Sequence, residues 1–245
     1  MGIMRAYFFS TCIGAGVFAD TAINAIKLLQ REGVEVIVKK DQTCCGQIPY
    51  NSGYDKEARQ VALHNINLFS EDYPVVVVGG SCAGTMQHEY LRLFEGTNEE
   101  EKVRKFSSRV VELSDFLYKN LKVNYTDKGA PVNVTWHSNC HALRHAKSIA
   151  SSKSLIRMLK NVTLKELERE EECCGFGGTF SVKEPEISNA MVTKKIEDIK
   201  NQAVDYIVTS DAGCLLNISG ALGKQGVNVR GVHLYDFLAE RTGIL

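Results

Sequence analysis

A duplicated α/β fold is what this 245-residue sequence predicts, and three observations carry the expectation. First, the eight cysteines form two matched sets: Cys12 recurs as Cys140, Cys44-Cys45-Gly46 as Cys173-Cys174-Gly175, and Cys82 as Cys214. Second, the segment Val111-Glu112-Leu113-Ser114-Asp115-Phe116-Leu117 is echoed by Val232-His233-Leu234-Tyr235-Asp236-Phe237-Leu238. Third, short apolar runs alternate with amphipathic stretches in both halves, the pattern of parallel sheets joined by right-handed helical crossovers. Together they predict two pseudo-repeated Rossmann-like βα domains, residues 1–124 and 131–245, joined near Asn124-Tyr125-Thr126-Asp127-Lys128-Gly129. The offset between matched positions falls by about eleven residues along the chain, which places an insertion in the first half near Asn98–Lys102.

In the first half, residues 5–10 read as a short apolar strand followed by a Gly-containing turn that holds Cys12. Ala22, Ile23, Ile26, Leu28 and Leu29 give a helical stripe that stops at Gly33, a suitable C′ residue. Residues 34–38 form the next strand, and Asp55 caps a helix to about Phe69 with Val61, Leu63 and Ile66 inward. The run Val75-Val76-Val77-Val78 reads as a strand covered on both faces, with Cys82 directly after it. Residues 110–113 and a Ser114-capped helix close the half. The second half repeats the order: strand 132–136, Cys140 and a helix to about Lys160, a weaker strand 162–167, and a helix from about Glu184 to Asn201. Strand 206–209, a short helix at Cys214, strand 227–234 and helix 235–240 complete it. Ligands of such sheets gather beyond the carboxyl ends of the strands, so every cysteine set is expected at that edge.

Composition removes several function classes. Lys+Arg and Asp+Glu both number 29, so the formal charge is zero and no basic footprint for nucleic acid exists. Hydrophobic residues at 44% with 24% charged are those of an ordinary globular protein, and four prolines argue against a disordered linker. The apolar stretch 6–19 is too short to span a bilayer and lacks a basic flank beyond Arg5. A cytoplasmic chain is expected, touching a membrane at most peripherally through partners. In that compartment eight cysteines read as ligands or reactive thiols rather than disulfides.

The spacings exclude the short ligand loops. Thirty-one residues separate Cys12 from Cys44, and thirty-six separate Cys45 from Cys82; the second set has gaps of thirty-two and thirty-nine. No C-x2-C occurs, so neither a zinc ribbon nor a ferredoxin-type loop is present. Only the fold can assemble such ligands. Four soft thiolates suit an iron–sulfur cluster or zinc. Glycines beside them (Gly46, Gly79, Gly80, Gly84; Gly175, Gly177, Gly178, Gly213) allow backbone to approach inorganic sulfide closely. The competing reading, buried thiols acting as small hydrophobes, requires two matched sets to arise by chance. Redox-active vicinal thiols are the remaining alternative.

These residues carry a resemblance. Phe9-Ser10-Thr11-Cys12, Asp41-Gln42-Thr43-Cys44-Cys45-Gly46-Gln47, Gly80-Ser81-Cys82-Ala83-Gly84, His137-Ser138-Asn139-Cys140-His141-Ala142-Leu143-Arg144, Cys173-Cys174-Gly175-Phe176-Gly177-Gly178 and Asp211-Ala212-Gly213-Cys214-Leu215 together resemble the cysteine-rich CCG domain. That domain occurs in the cysteine-rich subunits of heterodisulfide reductase and anaerobic glycerol-3-phosphate dehydrogenase and in the iron–sulfur subunits of glycolate oxidase. The two-repeat form without an attached ferredoxin domain resembles the LutA/YkgE group of lactate-utilisation proteins. The resemblance implies an iron–sulfur electron-transfer subunit of an L-lactate (2-hydroxy acid) oxidising complex, non-catalytic or co-catalytic. It also implies a ferredoxin-like iron–sulfur subunit and a third small subunit (LutB- and LutC-like) as partners. Its metal ligands would be Cys12, Cys44, Cys45 and Cys82 in one half and Cys140, Cys173, Cys174 and Cys214 in the other. Each set suffices for a [4Fe-4S] cluster, giving one or two clusters, with zinc possible in one half. The fullest CCG motif ends in C-x2-C and supplies a fifth thiolate, whereas residues 79, 85, 211 and 217 are Gly, Thr, Asp and Asn. Alternatives are a heterodisulfide-type thiol–disulfide reductase subunit and a zinc-binding scaffold.

Three histidines, His137, His141 and His145, flank Cys140 at four-residue spacing. They are candidates to replace the missing thiolate, and His141, adjacent to Cys140, is the first choice. Arg144 is a candidate for neutralising a cluster or holding a carboxylate. Gly175-Phe176-Gly177-Gly178 lacks both G-x-G-x-x-G and a Walker lysine, so no nucleotide loop is read there. Trp136, the lone tryptophan, ends a strand beside the second set.

Overall fold

A computed structural model describes residues 3–244. The chain forms two four-stranded, all-parallel sheets of the same topology. Strands β1 (Met4–Phe9), β2 (Val34–Val38), β3 (Val75–Val77) and β4 (Val110–Glu112) are ordered β2-β1-β3-β4. Strands β5 (Val132–Trp136), β6 (Val162–Lys165), β7 (Tyr206–Thr209) and β8 (Arg230–His233) are ordered β6-β5-β7-β8. No described helix is long and apolar enough to cross a membrane.

Period-two alternation along the strands sorts the core into three layers. Tyr7 and Phe9 of β1, with Val75 and Val77 of β3, face an outer cluster closed by Ala58, Ala62 and Ile66 of helix Asp55–Leu68. Ile207 of β7 faces the opposite outer cluster, against Val192, Ile196 and Ile199 of helix Pro185–Lys200. Between the sheets lies one continuous cluster, to which Ala6, Phe8 and Val76 contribute from one side and Val134, Trp136, Val208 and Val232 from the other. Helices Ala19–Arg31 and Leu234–Thr242 fill that middle layer and touch each other, with Asn24 Nδ2 donating to Asp236 Oδ1 at 2.8 Å. The two halves therefore bury one shared core.

The last residue of β4 and of β8 doubles as a helix N-cap, which explains the seven-residue echo in the sequence. Glu112 accepts from the backbone N–H of Ser114 at 2.9 Å, and His233 Nδ1 from that of Tyr235 at 3.5 Å. Glu112 is fully buried and also accepts from the Tyr235 hydroxyl, so the first cap is tied to the last helix of the other half. Burial pushes its carboxyl up to about 7 despite these donors.

The expected elements shift at several boundaries. The helix expected from Cys140 to about Lys160 is two pieces: a wide turn Ala142–Ala146 and helix Ile149–Arg157, divided by Lys147 at φ +54°. Strand β8 starts at Arg230 rather than at Val227, and Cys12 opens a short helix, Cys12–Val17, instead of lying in a turn. Thr11 caps it by accepting from Gly14 N at 3.2 Å. Helix Glu100–Ser107 between β3 and β4 has no counterpart between β7 and β8, where helix Ala212–Lys224 is alone. The joining segment is packed: Asp127 accepts from Arg241 Nη2 and from Asn161 N, both at 2.7 Å, and the Arg31 guanidinium lies 4.3 Å from the Tyr125 ring centre.

Candidate metal centre

In a β2-β1-β3-β4 sheet the chain reverses its winding between β1 and β3, and a crevice opens beyond their carboxyl ends. Cys12 follows β1, Cys44 and Cys45 follow β2, and Cys82 follows β3 in helix Gly80–Gly84. Cys140, Cys173, Cys174 and Cys214 occupy the same places around the second sheet. The two crevices face each other. All eight cysteines line a single cavity of about 150 Å³ between the halves.

The Cys-Cys-Gly turn has a plain geometric reason. Gly46 and Gly175 take φ of +86° and +81°, a left-handed conformation that costs a side-chain-bearing residue free energy. The reversal folds the second cysteine of each pair inward: Cys45 and Cys174 are buried, while Cys44 and Cys173 are half-buried. Each loop is pinned from outside. Tyr90 Oη donates to Cys45 O and Asn217 Nδ2 to Cys174 O, both at 2.7 Å.

The halves close tightly over the cavity. A Cβ on Gly80 would lie 2.4 Å from Ala142 Cβ and 2.8 Å from Asn139 Nδ2. Asp211 caps helix Ala212–Lys224 through the N–H groups of Gly213 and Cys214, and its other oxygen accepts from Ser81 N of the first half at 3.1 Å.

Within each half the sulfurs are in contact. Cys12 Sγ stands 3.7 Å from Cys44 Sγ and donates to it. Hydrogen bonds from Cys12 and Cys45 hold the Cys44 thiol far below the ordinary range, at about 2, while Cys12 and Cys45 are pushed up. In the second half Cys173, beside Cys140 and Cys174, is likewise brought to about 2, and those two rise. Cys44 and Cys173 are thus biased toward thiolate and their direct sulfur neighbours toward thiol. A second thiolate 3.7 Å away would add repulsion of about 4 kcal/mol at an effective dielectric of 20. Four thiolates at such separations need a multivalent cation among them, since metal coordination deprotonates thiols outright. This donor set is compatible with a thiolate-bound metal or iron–sulfur group.

The histidines separate. His141 lines the cavity, with Nδ1 3.5 Å from Cys140 Sγ and Nε2 3.2 Å from Gln47 Nε2. Burial, then the neighbouring His145, lowers its pKa. His145 and His141 also approach Glu89, a buried carboxylate that sequence reading did not single out, and His145 Nε2 lies 3.5 Å from Glu89 Oε1. His137 precedes the turn and shares no helix face with them. It is wholly buried, near Cys174 and Cys214. Arg144 is exposed and is not among the residues lining the cavity.

Two parallel βα units whose eight thiols meet between them define a duplicated cysteine-rich protein. The sequence model of the cysteine-rich domain family, CCG, matches residues 6–87 and again 134–219, so the chain belongs to that family. Its relatives include Lactate utilization protein A of Halalkalibacterium halodurans, 37% identical over 98% of this chain and 99% of that one. The protein of the same name from Geobacillus sp. strain WCH70 is 39% identical over 97% and 100%, and that of Geobacillus thermodenitrificans 36% identical over 98% and 100%. At this likeness the chain is a member of the lactate utilization protein A group. Among solved structures it is similar to Picrophilus torridus aspartate racemase, at 9% identity and TM-score 0.39 over 96% of this chain and 91% of that one, too remote to bear on function.

Proposed function

We propose that this chain is an iron–sulfur electron-transfer subunit of an L-lactate-oxidising complex. The observation that carries the reading is the convergence of two complete four-cysteine sets on one cavity between the halves. The name shared by relatives at 36–39% identity supports lactate utilisation as the setting. An iron–sulfur group supplies one-electron transfer when bound. The chain's own part is to hold the ligands and shape the field around them. Cys44 and Cys173, already biased to thiolates, start the assembly, and Gly175 N donates to Cys173 Sγ at 3.4 Å, which favours negative charge there. Cys12 is exposed, so one edge of the cavity is open to a partner that delivers or takes electrons. Electron exchange of this kind needs no general acid or base from this chain, and the partners expected are a ferredoxin-like subunit and a third small subunit.

The test is lactate-dependent reduction. The complex purified anaerobically with its partners is expected to be brown and to bleach when L-lactate is added without an acceptor. A colourless complex that still oxidises lactate at the normal rate would overturn the reading.

A further inference from the structure

His137 is not among the residues lining the cavity, yet it packs beside two that are, Cys174 and Cys214. It is 0% exposed, and neither ring nitrogen has a hydrogen-bond partner among the described residues. Its backbone N–H donates to Val208 O at 2.9 Å, which anchors the residue at the end of β5. Buried imidazoles ordinarily satisfy at least one nitrogen, because an unpaired buried polar group carries its full desolvation cost. One nitrogen of this ring and the sulfurs of Cys174 and Cys214 all lie within 4.8 Å of one another. Ligands bound tetrahedrally at ~2.0–2.3 Å from one metal stand roughly 3.4–3.8 Å apart, so a contraction of about 1 Å brings the three to a common centre.

Resting on the functional reading above, we infer that His137 is a nitrogen ligand of the metal group in the second half, shared with Cys174 and Cys214, and that the two halves hold unlike groups. The internal repeat supplies the comparison. Cys12 corresponds to Cys140, so His137 corresponds to Phe9, a buried ring in the outer apolar cluster that offers no donor atom. At this position the first half offers no donor, whereas the second offers a nitrogen beside Cys174 and Cys214. This nitrogen also answers the lack of a fifth thiolate after Cys214, a place for which adjacency to Cys140 alone favours His141. A neutral imidazole keeps one ring nitrogen free of hydrogen, with a lone pair available to a metal.

The experiment uses the complex carrying Cys45→Ser, which leaves the group of the second half alone, with 14N- or 15N-histidine incorporated. Pulsed EPR is recorded on the reduced protein, with cobalt(II) exchanged in if the second half holds zinc. The expected result is a nitrogen coupling that changes on 15N labelling and vanishes in His137→Phe, the substitution that copies the first half. If His137→Phe does not retain metal, the isotope comparison on the unsubstituted residue decides alone. A loaded second half without nitrogen coupling, or with a coupling that survives His137→Phe, would overturn this inference and leave the functional reading standing. A second half that holds no metal in the complex without Cys45→Ser would also overturn this inference, and the functional reading would then stand or fall on the first half.

Discussion

Cys174→Ser and Cys45→Ser are each expected to lose the metal of their own half, keep that of the other, and fold. Both residues lie at the inner apex of the Cys-Cys-Gly turn, where no other side chain takes their place. Replacing a partner that merely orients a metal ligand costs 10–100-fold, so losing the ligand is expected to lower lactate-dependent electron transfer by about 100-fold or more. The fold is expected to survive for a separate reason. A serine hydroxyl left unsatisfied costs about 1–3 kcal/mol, against a domain stability of about 5–15 kcal/mol. The turns are also held through backbone oxygens, Cys45 O by Tyr90 and Cys174 O by Asn217, and serine keeps both contacts. Iron and zinc content, far-UV circular dichroism and electron transfer from lactate, measured on the same preparations, check this. Variants with full metal content and normal rates would show that these thiols are ordinary core residues.

Glu112→Gln is expected to remove a pH-dependent penalty on stability. The folded carboxyl sits at about 7 against an ordinary 4.5, because burial between the halves disfavours its charge. The folded state therefore binds the proton more tightly than the unfolded one. Stability contributed at this position is full below about pH 4.5, falls as pH rises toward 7, and is flat above. The shift corresponds to about 3 kcal/mol over that window. Glutamine still offers an oxygen to Ser114 N–H and an amide to the Tyr235 hydroxyl, so packing is kept. Buried neutral His137 and His233, lowered to about 3 and 4, act oppositely, losing stability as pH falls below 6.5. Both proteins share those histidines, so the difference between urea unfolding curves isolates Glu112. The variant is expected to gain about 3 kcal/mol on wild type between pH 4.5 and 7.5, at equal metal content. Parallel stability profiles would contradict it.

What was legible in the sequence was what repeats locally. Two Cys-Cys-Gly turns, valine-rich runs and matched offsets give parallel strands with every cysteine at their carboxyl ends, because strand periodicity and glycine conformation act over a few residues. Facts fixed by packing between the halves were not legible. Helices Ala19–Arg31 and Leu234–Thr242 share one core, and that contact, rather than any motif, turns two crevices into one cavity. The same limit applies to the histidines. Four-residue spacing implies a common helix face, but the chain enters the turn only after His137, and Lys147 in the left-handed region ends it. His137 is thus carried inward by the end of β5, His141 stays at the cavity and Arg144 turns outward. Glu89 gave no sequence cue, since its burial depends on the opposing turn Ala142–Ala146.

The most direct measurement is iron, zinc and acid-labile sulfide per chain in anaerobically purified protein. About four or eight irons with equal sulfide are expected, one or two clusters in the cavity formed by both halves. Zinc without sulfide in both halves would contradict the iron–sulfur reading and leave the eight cysteines a structural role.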